Sequence, residues 1–72
     1  MKIEYSYTLR DERMNSLETK TINEERYNEI LNSDKFKLKE EWQTDFNDST
    51  LYMKWFKGQN GWNLFVSKEV AK

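Results

Sequence analysis

The chain has 72 residues, a net charge of −1, 36% hydrophobic side chains, and neither cysteine nor histidine. Its length holds one domain, residues 1–72, with a core too small to be secure on size alone. The missing cysteine and histidine exclude disulfides and a structural zinc site as remedies, leaving three Trp, four Tyr and four Phe, or a second copy of the chain in a homodimer, to supply the stability.

Charge is unevenly spread, with five basic and eight acidic residues in 1–34 and seven basic and five acidic in 35–72. An imbalance this small reads as ordinary surface decoration. No apolar run approaches the length of a membrane span, and the opening Met1-Lys2-Ile3-Glu4-Tyr5 lacks the apolar stretch of a signal peptide. The expected compartment is the cytoplasm, with no membrane partner.

From Lys2 to Arg10 the chain alternates, Ile3, Tyr5, Tyr7 and Leu9 against Lys2, Glu4, Ser6, Thr8 and Arg10, which is the period of a half-buried strand. A polar loop at 11–15 leads to a weaker strand over 16–21, with Leu17, Thr19 and Thr21 on one side. Sequential strands usually pair, so these two form a hairpin. Thr21-Ile22-Asn23-Glu24 fits a capping box, and Asn23 as N-cap would instead staple Ile22 to Tyr27. Tyr27, Ile30 and Leu31 then give a narrow apolar stripe on a short helix that ends near Asn32-Ser33-Asp34.

Three further strands are expected. Residues 35–44 set Phe36, Leu38 and Trp42 against Lys35, Lys37, Lys39, Glu41 and Gln43. A turn at 45–49 follows, and 50–57 alternates Leu51, Met53 and Trp55 with Tyr52, Lys54 and Phe56. Gly58-Gln59-Asn60-Gly61 reads as the loop of a hairpin, and 62–68 sets Trp62, Leu64 and Val66 against Asn63, Phe65 and Ser67. The expected fold is α+β: one antiparallel five-stranded sheet, element order ββαβββ, with one helix packed on one face.

One helix covers one face. The expected core is Ile3, Tyr5, Tyr7, Leu9, Leu17, Phe36, Leu38, Trp42, Leu51, Met53, Trp55, Trp62, Leu64 and Val66, closed by Tyr27, Ile30 and Leu31. That leaves Tyr52, Phe56 and Phe65 among Lys35, Lys37, Lys39 and Lys54 on the uncovered side. Either lysine stems and the curl of a small sheet cover the rings within the monomer, or the grouped rings await a visitor. Tyr52, Phe56, Phe65 and Lys54, with Phe46 in the turn, are the candidate protein contacts. Lys35, Lys37, Lys39 and Lys54 are the candidate phosphate contacts of an alternative reading, a single-stranded nucleic-acid-binding module. Only three arginines and a negative net charge make a protein the stronger expectation.

Chemistry is not expected. Without histidine or cysteine the usual general base and thiol nucleophile are missing. Glu40 and Glu41 are adjacent in a strand and point apart. Asp45 to Ser49 opens like a calcium loop but has Thr50 where the glycine belongs and Phe56 where the bidentate Glu belongs. No cofactor, metal or catalytic residue is proposed, and the chain is expected not to be an enzyme. In body plan alone it resembles the small inhibitors of host machinery that phages and mobile elements encode, anti-CRISPR proteins among them. That resemblance implies a cytoplasmic interaction protein that binds and modulates or inhibits a protein partner.

Overall fold

A computed structural model describes residues 2–72. It contains β1 (Ile3–Arg10), β2 (Ser16–Ile22), α1 (Glu24–Leu31), β3 (Phe36–Asp45), β4 (Ser49–Gly58) and β5 (Asn63–Ala71). The strands form one antiparallel sheet in the order β2-β1-β5-β4-β3. The expected α+β class and ββαβββ order are both present.

The sheet order explains why the helix lies where it does. The chain leaves β2 at one edge and re-enters as β3 at the other, so the connection must cross one face. Four strand spacings of about 4.8 Å separate those edges. An eight-residue helix reaches about 12 Å of that, and its flanking turns supply the rest. Of the two N-cap arrangements, the Asn23 one forms: its side-chain oxygen accepts from the Arg26 backbone N–H at 2.8 Å. Glu24 and Glu25 occupy the first turn, where the helix dipole favours negative charge.

Beneath the helix lies the core of Tyr5, Tyr27, Ile30, Phe56, Leu64 and Val66, with Tyr7, Leu9, Ile22, Leu31 and Phe36 packed against it. Tyr5 and Tyr27 meet with ring centroids 4.8 Å apart and planes tilted by 46°. Burial raises the pKa of the Tyr27 hydroxyl above its usual 10.0.

Both hairpins at one end of the sheet use the same turn. Gly58 N–H donates to the Trp62 carbonyl and Gly61 N–H to the Gly58 carbonyl, which makes Gln59-Asn60-Gly61 a three-residue loop with Gly61 at φ +85. Asp11 N–H donates to the Asn15 carbonyl and Met14 N–H to the Asp11 carbonyl, which puts Met14 at the matching position with φ 67. This is the common three-residue hairpin whose last loop residue is left-handed.

That loop length corrects the expected side-chain faces. A four-residue loop at 58–61 would pair Lys57 with Trp62 and put Trp55 beside Leu64. The three-residue loop pairs Lys57 with Asn63, Phe56 with Leu64 and Trp55 with Phe65. A slip of one residue turns a whole strand over, so Phe56 is buried under the helix and Leu51, Met53 and Trp55 face the other way. A bulge between Leu38 and Glu40 does the same to the outer half of β3, moving Trp42 to the uncovered side opposite Met53. Leu17, expected in the core, sits at the irregularity that lets β1 shift from Leu9–Glu18 to Arg10–Ser16 pairing, and is 48% exposed. Ile3, Leu38 and Trp62 are exposed as well.

Two stability outcomes follow. Phe56→Ala empties a buried site and is expected to cost about 3–5 kcal/mol in denaturant unfolding, which a domain this small barely survives. Met14→Gly relieves an L-residue from the left-handed region and should raise stability by about 1 kcal/mol in the same assay, the strain relieved outweighing the contacts of a side chain that is 39% exposed.

Candidate interaction face

The face away from the helix is built by alternation from the pairing just described. Next to the bulged β3 edge, Trp42 lies opposite Met53, and Trp55 opposite Phe65 on β5. Toward β1 and β2 the same rows continue as Ser67, Ser6 and Thr21, and as Thr8 and Thr19. These two central rows are therefore largely apolar toward β3 and hydroxyl-bearing toward β2, with Ser6 and Ser67 joined through their hydroxyls.

The rings are held in a defined stack. Trp55 and Phe65 lie nearly parallel, 16° apart, with centroids 5.6 Å from each other. The Lys39 ammonium covers the outer face of Trp55 at 4.6 Å, and the Arg10 guanidinium caps Phe65 at 6.0 Å. Aromatic pairs and cations over ring faces each add of order 1 kcal/mol where they are partly desolvated. Lys39 reaches the stack because it is the residue between Leu38 and Glu40 at which the bulge occurs.

A polar strut fixes the stack from below. The Trp55 indole N–H donates to Asn63 Oδ1 at 2.9 Å, and Asn63 Nδ2 donates to the Asp11 carbonyl at 3.0 Å. Asn63 is 1% exposed, and both of its hydrogen-bonding ends are used. Asp11 in turn organises its loop, its Oδ1 accepting from the backbone N–H groups of Arg13 and Asn15 at 2.9 Å each. The Asn15 backbone bond, foremost among these contacts, lowers the Asp11 carboxyl pKa below its usual value. The loop is thus tied into place by the Asp11 carboxylate, and the strut starts from a fixed point.

The residues singled out from sequence do not converge. Phe65 is on the open face. Phe56 is 5% exposed beneath the helix and is withdrawn as a docking residue. Tyr52, 38% exposed, and Lys54 share the helix side of β4, where Lys54 Nζ bonds Glu41 Oε2 at 2.7 Å. Phe46 is exposed in the β3–β4 turn, its carbonyl accepting from Lys72 Nζ. The four lysines are also split: Lys37 is on the open face, Lys39 on the Trp55 ring, Lys54 on the helix side, and Lys35 just ahead of β3. What sequence reasoning placed inside, namely Trp42, Leu51, Met53 and Trp55, is the apolar part of the open face. The bulge and the loop length carried that information, and neither shows in simple alternation.

Among the described residues no cluster of acidic side chains could hold a metal ion, and no helix is long and apolar enough to cross a membrane. No protein-family model, curated protein or solved structure matches this chain.

Asn63→Ala would leave the Trp55 N–H and the Asp11 carbonyl without partners. It is expected to cost about 1–3 kcal/mol and to shift Trp emission as Trp55 loses its fixed position. A fluorescence spectrum beside a urea melt checks both.

Proposed function

We propose that this chain is a non-enzymatic protein-binding domain, whose docking surface is the open face of the sheet and which modulates its partner by occupying that partner's surface. The observation that supports the reading best is Trp42. It stands 41% exposed at the edge of a patch formed with the partly exposed Met53, Leu51 and the Trp55–Phe65 stack. The helix packs on the other side, and among the described residues no element lies over these side chains. Apolar side chains gathered on one open face mark contact sites, and Trp is the residue that most often carries their binding energy.

Rigid presentation favours binding as well. With Lys39, Arg10 and Asn63 holding Trp55 and Phe65, little side-chain freedom remains to be lost on association.

Single-stranded nucleic acid is the weaker occupant. Stacking on a base needs a free ring face, and here the faces of Trp55 and Phe65 are taken by each other and by Lys39 and Arg10. A base would have to displace one of those cations first.

The test compares the wild-type chain with Trp42→Lys, each immobilised and offered protein, a second copy of the chain included, in moderate salt. Wild type should retain protein, and the variant should lose that retention while its melting stays within about 1 kcal/mol of wild type. Equal retention by both overturns the reading. So does binding of a labelled single-stranded oligonucleotide that weakens steeply as salt is added.

A further inference from the structure

We propose that the protein seated on the open face is a second copy of this chain, packed sheet on sheet so that each strand runs antiparallel to its own counterpart. This rests on the reading of that face as protein-binding, and adds which protein and which geometry.

Charge is the first observation. The open face is polarised along the strand direction. At the hairpin end, Arg10, Lys57 and Lys37 form one row across β1, β4 and β3, with Asn63 between the first two. At the far end Glu4 and Glu69 face each other across β1 and β5, and Asp48 lines the same shallow hollow. Among the described residues, Lys2, paired to Glu4 at 3.1 Å, is the one basic side chain lining that hollow. The Trp42–Met53 and Trp55–Phe65 rows lie between the two ends, and the second of them finishes on β3 at the exposed Glu40.

Two symmetric ways of stacking the face on itself differ sharply in charge. A two-fold axis parallel to the strands would lay the basic row on the basic row. An axis in the interface plane and across the strands reverses strand direction instead. It lays Arg10 over Glu4 of the other copy and sets Glu69 over Asn63, between Arg10 and Lys57, while Lys57 and Lys37 themselves meet Leu51 and Thr44. It also brings Met53 of each copy against Trp55 of the other and Ser67 against Phe65, with Trp42 beside the Trp55 ring and over Glu40. A closed two-fold interface needs such a self-complementary patch, and like charges set face to face select against the alternative.

Area is the second observation. Five strands about 4.8 Å apart, some nine residues long at about 3.3 Å per residue, present a face of roughly 700 Å². That is close to the roughly 800 Å² per partner that a stable, specific interface buries. The opposite face is interrupted by the helix. Two sheets stacked in this way acquire the second layer that a lone helix on one side does not supply.

Sedimentation velocity tests this with the full chain, from micromolar to submillimolar concentration. Wild type should sediment as a dimer. Lys37→Glu with Lys57→Glu makes both ends of the face acidic, and Glu4→Lys with Glu69→Lys makes both basic. Each double variant alone should associate roughly tenfold or more weakly, while an equimolar mixture of the two should recover the dimer. Should Glu69→Lys unfold the chain by losing its bond to the Ser49 hydroxyl, Glu4→Lys with Asp48→Lys delivers the same change of charge. A wild-type monomer at every concentration overturns the proposal, and so do double variants that dimerise as wild type does. A monomer that still retains a different protein through Trp42 sinks the second copy and leaves the protein-binding reading standing, whereas a monomer indifferent to Trp42→Lys removes both.

Discussion

The three-residue connection between β4 and β5 decides what the sheet hides and what it offers. Gly61 at φ +85 lets Gln59 and Asn60 close the hairpin on Gly58 and Trp62, and that closure pairs Phe56 with Leu64. Both then turn toward Tyr27 and Ile30, while Trp55 and Phe65 turn away together. A connection one residue longer would send Trp55 inward and Phe56 outward, because strand side chains alternate with a period of two. The core and the open face are two consequences of a single turn.

Given that register, the open face needs a device to keep large rings ordered without a covering layer. The Lys39–Trp55–Phe65–Arg10 stack supplies it, and each member comes from a different strand: β3, β4, β5 and β1. The stack therefore ties four of the five strands on the side opposite the helix. Asn63 ties it further to the loop at 11–15, so the two adjacent hairpin turns share one polar anchor. A small sheet with a helix over only part of one face gains cross-strand cohesion here, and the same contacts hold the open face in shape.

Much of the fold was legible in the sequence. Five strands, one helix, their order and Asn23 as an N-cap candidate are all local properties, written in alternation, capping residues and Asn/Gly turns. The face of β1 was legible too, since Tyr5, Tyr7 and Leu9 alternate without interruption and point to the helix. The face of β4 was not. Leu51, Met53 and Trp55 are as apolar as Tyr52, Lys54 and Phe56 are mixed, so composition favours burying the first set, and pairing reversed the choice. In β3 the bulge at Lys39 changes parity between Leu38 and Trp42, and a bulge depends on the partner strand as much as on its own residues. Thus one of the five proposed contact residues, Phe65, lies on the open face, and the best exposed ring there, Trp42, was assigned to the core.

The edge of the sheet bears on how such a molecule associates. β3 is a ten-residue edge strand with an unpaired outer side, the kind of element that invites indiscriminate pairing with other strands. Here it carries Lys37, Lys39, Glu40 and Glu41 in close succession, and the bulge at its middle breaks the regular spacing of its backbone groups. Charge and bulge both oppose edge-to-edge growth, and the exposed apolar side chains are gathered instead in the strip running from Trp42 to Phe65. The same bulge that blunts the edge also swings Trp42 onto the open face and delivers Lys39 to Trp55. One irregularity in β3 therefore disturbs open-ended pairing along the edge and sets a large ring on the open face.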